Sequence, residues 1–235
     1  MASDASAAGS HPDPKDQTAW DEIPAPAVRR LCLYLRELEG LLSRGRLTVS
    51  SKELGRTLGY TDAQVRKDLA HFGHFGQPGI GYGVEELIGR IKAILGTDKI
   101  WNVVVVGAGN IGQALSTYRG FLKKGFRIVG VFDSNPAKVG QRIGDPPGIE
   151  ILPLDRLAEV VASQEVRMGI VAVPAEVAQQ VAEVLLAAGV RGILNFAPAS
   201  LAVPELVPVV PVELSVQLEQ LAFQIRAQGS RVRAQ

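Results

Sequence analysis

A glycine-rich hexapeptide is the segment whose residue types and spacing most directly imply chemistry. It has the pattern G-x-G-x-x-G and consists of Gly107, Ala108, Gly109, Asn110, Ile111 and Gly112. In this pattern the first glycine permits a tight turn, the second lets a pyrophosphate approach the backbone, and the third lets a helix and a strand pack closely. A following helix would offer free N–H groups to phosphates. The pattern predicts a dinucleotide site, although it also fits a turn that serves packing alone, or a coenzyme A site.

An acidic residue follows at the distance that a dinucleotide fold requires. Asp133, with Ser134 beside it, ends a second predicted strand, about 20 residues or slightly more beyond the glycines, where a carboxylate binds a ribose hydroxyl. A 2′-phosphate would be repelled there, so NADH and NAD+ are favoured over NADP(H), and coenzyme A is disfavoured. Pro174, Phe196 and Ala197 follow later strands and are predicted to edge the nicotinamide, or else are ordinary loop and core residues. An apolar wall would favour the neutral ring of NADH over the cationic ring of NAD+.

The periodicity around these residues predicts the fold that positions them. From residue 100 onward, short apolar strands alternate with helical patterns, which is typical of a parallel sheet with helices on both faces. We therefore predict a Rossmann domain over residues 98–210. Its strands are expected at 100–106, 126–132, 168–173 and 192–196, and its helices at 110–124, 154–162 and 175–188.

The preceding segment, residues 23–97, has a different pattern and predicts a winged helix-turn-helix domain. A helix over 25–42 is followed by two short helices that begin at Ser50 and Thr61, each with a capping-box glutamate or glutamine three residues later. Their tight connection at Gly59 is typical of a helix-turn-helix. Glycines and aromatic residues over 79–83 predict a small β-wing, and a fourth helix is expected over 84–95. The overall fold class is therefore α/β, with a helical N-terminal domain, a Rossmann domain and a C-terminal helix.

The third helix carries the residues that we expect to contact DNA. This segment, from residue 24 to 96, has 11 Lys and Arg against 7 Asp and Glu, a net charge of +4, which is compatible with DNA but not diagnostic. Base-edge and phosphate contacts usually come from the start of a recognition helix and of the helix before it; the alternative is that these are merely solvated polar groups. The predicted DNA-binding residues are Ser51, Lys52, Thr61, Gln64, Arg66, Lys67, His71 and Tyr82.

The remaining segments exclude several classes of protein. The single cysteine, Cys32, leaves no disulfide framework and no cysteine-based zinc site, and its leucine neighbours predict a buried thiol. No apolar run approaches the length of a membrane span. Residues 1–22 have the composition of a disordered tail and not of a secretory signal, so we expect a cytoplasmic protein without a metal site. Residues 211–228 predict a helix and 229–235 a short tail; the helix has an apolar stripe of Leu214, Leu218, Leu221 and Ile225, which must be buried against something.

The sequence favours a binding protein over an enzyme. Its three histidines, His11, His71 and His74, all precede the predicted Rossmann domain, and no substrate domain of useful size follows that domain. A dehydrogenase needs a positioned substrate and usually a proton-transfer group beside the nicotinamide. The alternative interpretation is an NAD-dependent oxidoreductase with a helical N-terminal dimerisation cap.

The two domains together resemble one known family. Several segments in both domains are similar to those of the Rex family of redox-sensing transcriptional repressors. They are residues 50–54, 64–69, 72–73 and 81–83, the glycine turn with Ala114-Leu115, the stretch 195–198 and the terminal helix. The resemblance covers residues 23–225. It implies a homodimer that binds an inverted-repeat operator when NADH is scarce and leaves the DNA when NADH binds, with NAD+ competing for the same site. It also implies that the C-terminal helix exchanges between subunits.

The resemblance further implies a polar network that links the domains, and some residues depart from the family pattern. Arg36, Tyr118 and Glu213 fall where the family places that network. Gln77-Pro78 replaces a basic residue of the wing, which puts a charge contact with the DNA minor groove in doubt. His71 replaces a common tyrosine. The segment 211–213 replaces Asn-Val-Asp, which puts the strength of redox discrimination in doubt.

Overall fold

The computed structural model of the chain describes residues 23–73 and 81–232, with side chains as far as residue 227. The chain divides into two compact units, with the boundary between Lys99 and Ile100, two residues beyond the boundary predicted from sequence. The predicted N-terminal tail, the first part of the predicted wing with Gln77-Pro78, and the last three residues of the predicted C-terminal tail lie outside the described residues.

The N-terminal unit consists of helices and one small ribbon in the part of it that the structure describes. Its helices are α1 (Ala25–Ser43), α2 (Ser51–Leu58), α3 (Asp62–Ala70) and α4 (Val84–Ile94). Strands β1 (Thr48–Val49) and β2 (Tyr82–Gly83) pair antiparallel, with Val49 opposite Tyr82. Gly81 has a φ of +92°, and a Cβ on it would lie 2.6 Å from the Val49 carbonyl oxygen. A glycine is therefore required where the chain enters this ribbon.

The beginnings of α2 and α3 are set by hydroxyl caps. Ser50 Oγ accepts a hydrogen bond from the Glu53 amide at 3.1 Å, and Thr61 Oγ1 accepts one from the Gln64 amide at the same distance. The reciprocal half of each predicted capping box is not formed. The Glu53 carboxylate instead pairs with Arg46, and the Gln64 side chain donates to Asp68, because each finds a charged partner that a backbone N–H cannot match.

The core of the N-terminal unit is formed by α1, α2, α3 and α4 together with the ribbon. Val65, Leu69 and Phe72 are buried, as their helical spacing indicates. The apolar spacing of α1 predicts a buried face that begins at Val28 and ends at Leu42, but both residues are exposed, whereas Tyr34 and Leu41 are buried. Leu31, Leu35 and Leu38 are buried as well, so the buried face is displaced only slightly, toward Tyr34 and Leu41. Cys32 is exposed, so the expectation of a buried thiol was also wrong.

The second unit is built on a seven-stranded sheet. The strands are β3 (Trp101–Val106), β4 (Phe126–Phe132), β5 (Arg142–Ile143), β6 (Ile149–Leu152), β7 (Met168–Val171), β8 (Gly192–Asn195) and β9 (Val209–Pro211). Their order is β5-β6-β4-β3-β7-β8-β9, and all neighbouring pairs except β5 with β6 are parallel. The chain leaves β3 toward β4 on one side and β7 lies on the other, which is the switch point where such sheets bind ligands. The sheet is therefore a Rossmann sheet.

Helices of unequal size connect these strands. They are α5 (Asn110–Thr117), α6 (Gly120–Lys123), a 3₁₀ turn (Leu154–Arg156) continuing into α7 (Leu157–Ser163), α8 (Ala175–Ala187) and the C-terminal α9 (Leu214–Val232). The single helix predicted over 110–124 is broken, because Tyr118 is extended and its ring lies over Gly120, where a Cβ would be 2.4 Å from ring carbons. Helix α9 continues to Val232, past the predicted limit of residue 228, so the predicted tail begins inside a helix.

Alternate valines of β3 face opposite sides of the sheet. Val104 and Val106 lie in a cluster with residues of α7 and α8, whereas Val103 and Val105 belong to a second cluster with Ile151 on the other face. Both faces are apolar, as expected for a parallel strand covered on both sides. Burial of β3 between the two clusters fixes the position of the glycine turn that follows it.

Candidate nucleotide-binding and DNA-binding sites

The glycine turn has the geometry that the motif predicts. Gly107 has a φ of +105°, and a Cβ there would lie 2.3 Å from the Ala172 carbonyl oxygen. A Cβ on Gly112 would lie 1.8 Å from the Gly107 carbonyl oxygen, so α5 can approach β3 only with glycine at that position. Gly109 is different, because a Cβ there would meet nothing within 4 Å. The space beside Gly109 at the start of α5 is thus open to a ligand.

The Asp133 carboxylate lies at the same end of β3. Asp133 is 9% exposed, and its Oδ2 accepts the Ala108 N–H at 2.8 Å and the Lys138 ammonium at 2.9 Å, while Oδ1 accepts the Asn135 N–H. Burial alone would raise the pKa of Asp133, but these hydrogen bonds outweigh it and hold the pKa below its usual value. The group is therefore a fixed anion. Sequence reasoning missed Lys138, whose only signal was its place five residues after Asp133.

A cavity of about 400 Å³ connects part of the predicted nucleotide site. It is lined by Gly107, Gly109, Asp133, Ser134 and Pro174 of the predicted residues, with Lys138 and apolar residues of α8. The other turn residues contribute differently: Ala108 is buried and bonds Asp133 through its backbone, Asn110 and Ile111 are exposed on the first turn of α5, and Gly112 is buried beneath it.

The predicted nicotinamide wall is not assembled around this cavity. Phe196 and Ala197 do not line it, and Ala197 is buried in the core cluster between the sheet and α8. The cause is Asn195, whose side-chain oxygen accepts the Ala197 N–H at 3.0 Å and whose side-chain nitrogen donates to the Ala199 carbonyl at 2.8 Å. These bonds curl the loop after β8 and turn Ala197 inward. Of the three wall residues, only Pro174 lies at the cavity.

The outer face of α2 and α3 presents polar and basic groups. Lys52, Arg66 and Lys67 are exposed, as are Thr61 and His71. Arg66 pairs with Asp62 at 2.7 Å and donates to Ser51 Oγ at 3.3 Å, which joins α3 to the start of α2. Such exposed pairs are worth little, so phosphates can displace them. The seven predicted DNA contacts other than Tyr82 all lie on α2, on α3 or directly beside their ends, and each is exposed or partly exposed.

Tyr82 is the exception among the predicted DNA contacts. Its side chain is buried in the core of the N-terminal unit, on the strand that pairs with β1, and burial raises its pKa. Its assignment to the DNA surface was wrong, because the two-residue strand turns this ring inward.

A buried carboxylate on α3 was also misplaced by the sequence. The polar surroundings of Asp68 in the sequence predict an exposed side chain, but it is 1% exposed and accepts hydrogen bonds from Arg30, Tyr34 and Gln64. Burial would raise its pKa, yet the bonds from Arg30, Tyr34 and Gln64 lower it overall. Only the four-residue spacing to Gln64 was visible beforehand, since Arg30 lies 38 residues away.

Two apolar surfaces of the second unit lack a partner within it. Leu214, Leu218, Leu221 and Ile225 on α9 are between 50% and 67% exposed. On one face of the sheet, a groove of about 910 Å³ is lined mainly by apolar residues, among them Phe126, Ile128, Met168, Leu194 and Val210. Contiguous exposed apolar surfaces often mark interaction sites.

The three residues of the implied polar network are each at a surface. Arg36 and Glu213 are exposed, and Tyr118 is 61% exposed with its ring edge-on to Phe121. Among the described residues, no hydrogen bond joins Tyr118 to Glu213. Any network between them requires a different arrangement or a second chain.

Membrane-spanning helices and metal clusters are both absent from residues 23–73 and 81–232. No helix in these ranges is long and apolar enough to cross a bilayer. No group of three or more His, Cys, Asp or Glu side chains in the same ranges could hold a metal ion.

Comparison with family models matches both units. The model described as "CoA binding domain" matches residues 98–199, and the model described as "Putative DNA-binding protein N-terminus" matches residues 22–70. The first match covers strands β3 to β8 of the Rossmann sheet with the glycine turn. The second covers α1 to α3.

Curated relatives extend over nearly the whole chain. A protein of Carboxydothermus hydrogenoformans named redox-sensing transcriptional repressor Rex is 53% identical over 205 residues, which is 87% of this chain and 97% of the relative. A Thermotoga maritima protein named redox-sensing transcriptional repressor Rex 1 is 46% identical, over 89% of this chain and 99% of that one.

The similar solved structures include a member of the same family as these relatives. The crystal structure of RSP in complex with NAD+ and operator DNA has a TM-score of 0.82 and 37% identity, and covers 90% of this chain and 96% of that one. The structure of RSP with NADH has a TM-score of 0.81 and 35% identity, and the match covers 91% of this chain and 99% of that one. RSP is described as a Rex-family repressor.

Proposed function

The chain belongs to the Rex family of redox-sensing transcriptional repressors, and we propose that it represses genes by binding an inverted-repeat operator as a homodimer. NADH binding releases the operator, and NAD+ competes with NADH for the same site. The observation that carries this proposal is the presence, in one chain, of a nucleotide turn opening onto a cavity and a helix-turn-helix with an exposed basic face.

The nucleotide is NADH or NAD+ because of the groups around the cavity. The open side of Gly109 admits a pyrophosphate to the first N–H groups of α5, where the helix dipole favours an anion. The Asp133 carboxylate suits a ribose with free hydroxyls. Coenzyme A carries a phosphate on its ribose, which would meet that carboxylate with like-charge repulsion, so we propose NAD(H) and not coenzyme A as the ligand.

The homodimer follows from the apolar surfaces of the second unit. A second copy of the chain would cover the stripe of α9 and the sheet groove, which otherwise expose leucine and phenylalanine side chains to water. A symmetric dimer also presents two α3 helices, which matches two half-sites of an inverted repeat. Within it, Arg36, Tyr118 and Glu213 would form the polar network that connects nucleotide and DNA binding.

A gel-shift assay tests the proposal against the oxidoreductase alternative. The full chain is incubated with an inverted-repeat duplex selected from a random pool, without nucleotide, with NAD+ and with NADH. We expect a retarded complex that NADH dissociates and NAD+ does not. An NAD-dependent oxidoreductase would retard no duplex specifically, and a repressor without redox sensing would respond equally to both nucleotides.

Two lysines on the proposed DNA face should have separable effects. Lys67→Ala on α3 should weaken operator binding at least about tenfold, since it removes a group near the base edges. Lys52→Ala at the start of α2 should reduce the slope of log affinity against log salt by about 0.9 for each phosphate that is no longer neutralised, hence by about 2 for a dimer. Arg167→Ala, an exposed cation of the Rossmann unit, is the control. Unchanged operator affinity and salt slope in both lysine variants would refute this DNA face.

Asp133 should set the preference for NADH over NADPH. A 2′-phosphate would face its ionised carboxylate, whereas Asp133→Asn removes the charge and leaves the Lys138 ammonium, now 2.9 Å from Oδ2, free to pair with a phosphate. We expect the ratio of NADH to NADPH affinity to fall by about 10- to 150-fold, the range of a charged hydrogen bond. Fluorescence titration of both nucleotides measures it, and Glu183→Gln, which removes an exposed carboxylate that does not line the cavity, is the control. An unchanged ratio would remove Asp133 from the ribose site.

The cellular location follows from the proposed role and not from the fold. A repressor acts on chromosomal DNA, so we propose that the protein works in the cytoplasm of a bacterium, at the nucleoid. Its relatives are named as repressors and not as dehydrogenases, which places this chain among regulators.

A further inference from the structure

We propose that Asp68 is a positioning residue that fixes the side-chain amide of Gln64 so that Gln64 recognises adenine in each operator half-site. This inference rests on the proposed function, since it concerns the helix assigned to DNA contact. It assigns a base to one residue of that helix and a role to a buried carboxylate that touches no DNA itself.

The Asp68 carboxylate holds α3 against α1. Its Oδ2 accepts Arg30 Nε at 2.6 Å and the Tyr34 hydroxyl at 2.7 Å, and its Oδ1 accepts Arg30 Nη2 at 2.7 Å. Tyr34 is fully buried and Asp68 nearly so. A bidentate arginine pair with a buried third donor holds the carboxylate in a defined orientation, while Val65 and Leu69 seat the helix itself in the core.

Gln64 receives its orientation from the same carboxylate. Its Nε2 donates to Asp68 Oδ1 at 2.7 Å. An ionised carboxylate can only accept, so the amide must face it with nitrogen, and Oε1 must point elsewhere. Arg30 keeps Asp68 ionised, because its guanidinium lies on both carboxylate oxygens. The negative charge of Asp68 therefore fixes which end of the Gln64 amide carries nitrogen and which carries oxygen, before the protein meets DNA.

A glutamine fixed in this way presents a defined pattern. Gln64 is partly exposed, and with one amide hydrogen on Asp68, its second N–H and its carbonyl oxygen remain to bind the edge of a base. In the major groove only adenine offers the complementary pair, the N7 acceptor beside the N6 amino donor, whereas guanine offers two acceptors. Because the amide is already ordered, DNA binding does not have to freeze it, which favours adenine further.

The experiment uses the full chain and a pool of DNA duplexes with a randomised core. Wild-type protein should enrich an inverted repeat with adenine at one position of each half-site. In Gln64→Ala, discrimination at that position should fall about tenfold or more, the scale of a bidentate base contact. In Asp68→Asn, the side chain at position 68 can both donate and accept, so the Gln64 amide can flip. Discrimination should then fall at the same position while the other positions keep theirs.

Controls separate this role from simple loss of structure. Tyr34→Phe removes one donor from Asp68 but leaves Gln64 bound to it, so the adenine preference should persist. If Asp68→Asn does not fold, Gln64→Glu replaces it: a carboxylate at position 64 can donate neither to Asp68 nor to adenine, and the preference should shift toward cytosine.

The outcomes that overturn the inference differ from those that overturn the function. If wild type enriches no duplex, the proposed function fails and the inference with it. If wild type enriches an operator but Gln64→Ala keeps its adenine preference, only the inference fails. It also fails if Asp68→Asn folds and weakens all positions uniformly, or if Gln64→Glu keeps adenine.

Discussion

Gly109→Ala is expected to abolish tight NADH binding while leaving the fold intact. Its φ of −80° suits any residue, and a Cβ there meets nothing within 4 Å. The added methyl group would occupy the space through which a pyrophosphate reaches the backbone. Losing one charged hydrogen bond costs about 1.5–3 kcal/mol, which corresponds to about 10- to 150-fold in affinity. Nucleotide titration and thermal unfolding of the same sample measure both quantities.

Gly112→Ala provides the contrasting variant from the same turn. A Cβ there would overlap the Gly107 carbonyl oxygen at 1.8 Å, so α5 and β3 must separate. We expect the free energy of unfolding to fall by about 1–3 kcal/mol. We expect a clearly lowered Tm for this variant and a nearly unchanged one for Gly109→Ala. Wild-type NADH affinity in Gly109→Ala would show that no phosphate approaches this turn.

Leu218→Asp on α9 is expected to dissociate the dimer. Leu218 is 67% exposed in the single chain, and burying a leucine contributes about 1.5–3 kcal/mol. A symmetric dimer contains the substitution twice, so we expect a loss of about 3–6 kcal/mol, or about 10²- to 10⁴-fold in the dimer dissociation constant. Analytical ultracentrifugation over a range of concentrations measures this constant, and operator binding should fall with it.

The matched control lies on the same helix. Gln220 is exposed and lies away from the stripe of Leu214, Leu218, Leu221 and Ile225, so Gln220→Glu changes charge without touching that stripe. It should dimerise like wild type. If Leu218→Asp left the dimer dissociation constant unchanged, the stripe would not be the interface. The same would follow if Gln220→Glu raised that constant as much as Leu218→Asp does.

The parts of the fold that could be predicted depend on residues close together in sequence. The glycine turn and the helix caps at Ser50 and Thr61 each lie within a few residues, so spacing alone determines them. The parallel sheet follows from alternating buried strands. Strands β5 and β6 went unpredicted because they are short and contain Arg142 and Glu150, and β9 because Pro208 and Pro211 interrupt its run of valines.

The site residues that were misplaced depend on contacts between distant segments. Tyr82 faces the core because its strand pairs with Val49, 33 positions earlier by the numbering. Asp68 is buried because Arg30 and Tyr34 on another helix neutralise and bond it. Ala197 turns inward because Asn195 bonds the loop behind it. One sequence shows none of these pairings, since each partner is an ordinary residue where it stands.

The central claim is that nucleotide and operator binding oppose each other through a coupling free energy. Linkage requires this coupling to be reciprocal, so the most direct test is NADH affinity measured by nucleotide fluorescence, with the protein free and saturated with operator duplex. We predict that the duplex weakens NADH binding by about 5- to 150-fold, the usual range for allosteric pairs, and that it leaves NAD+ binding undiminished. Equal NADH affinity for free and operator-bound protein would contradict the account.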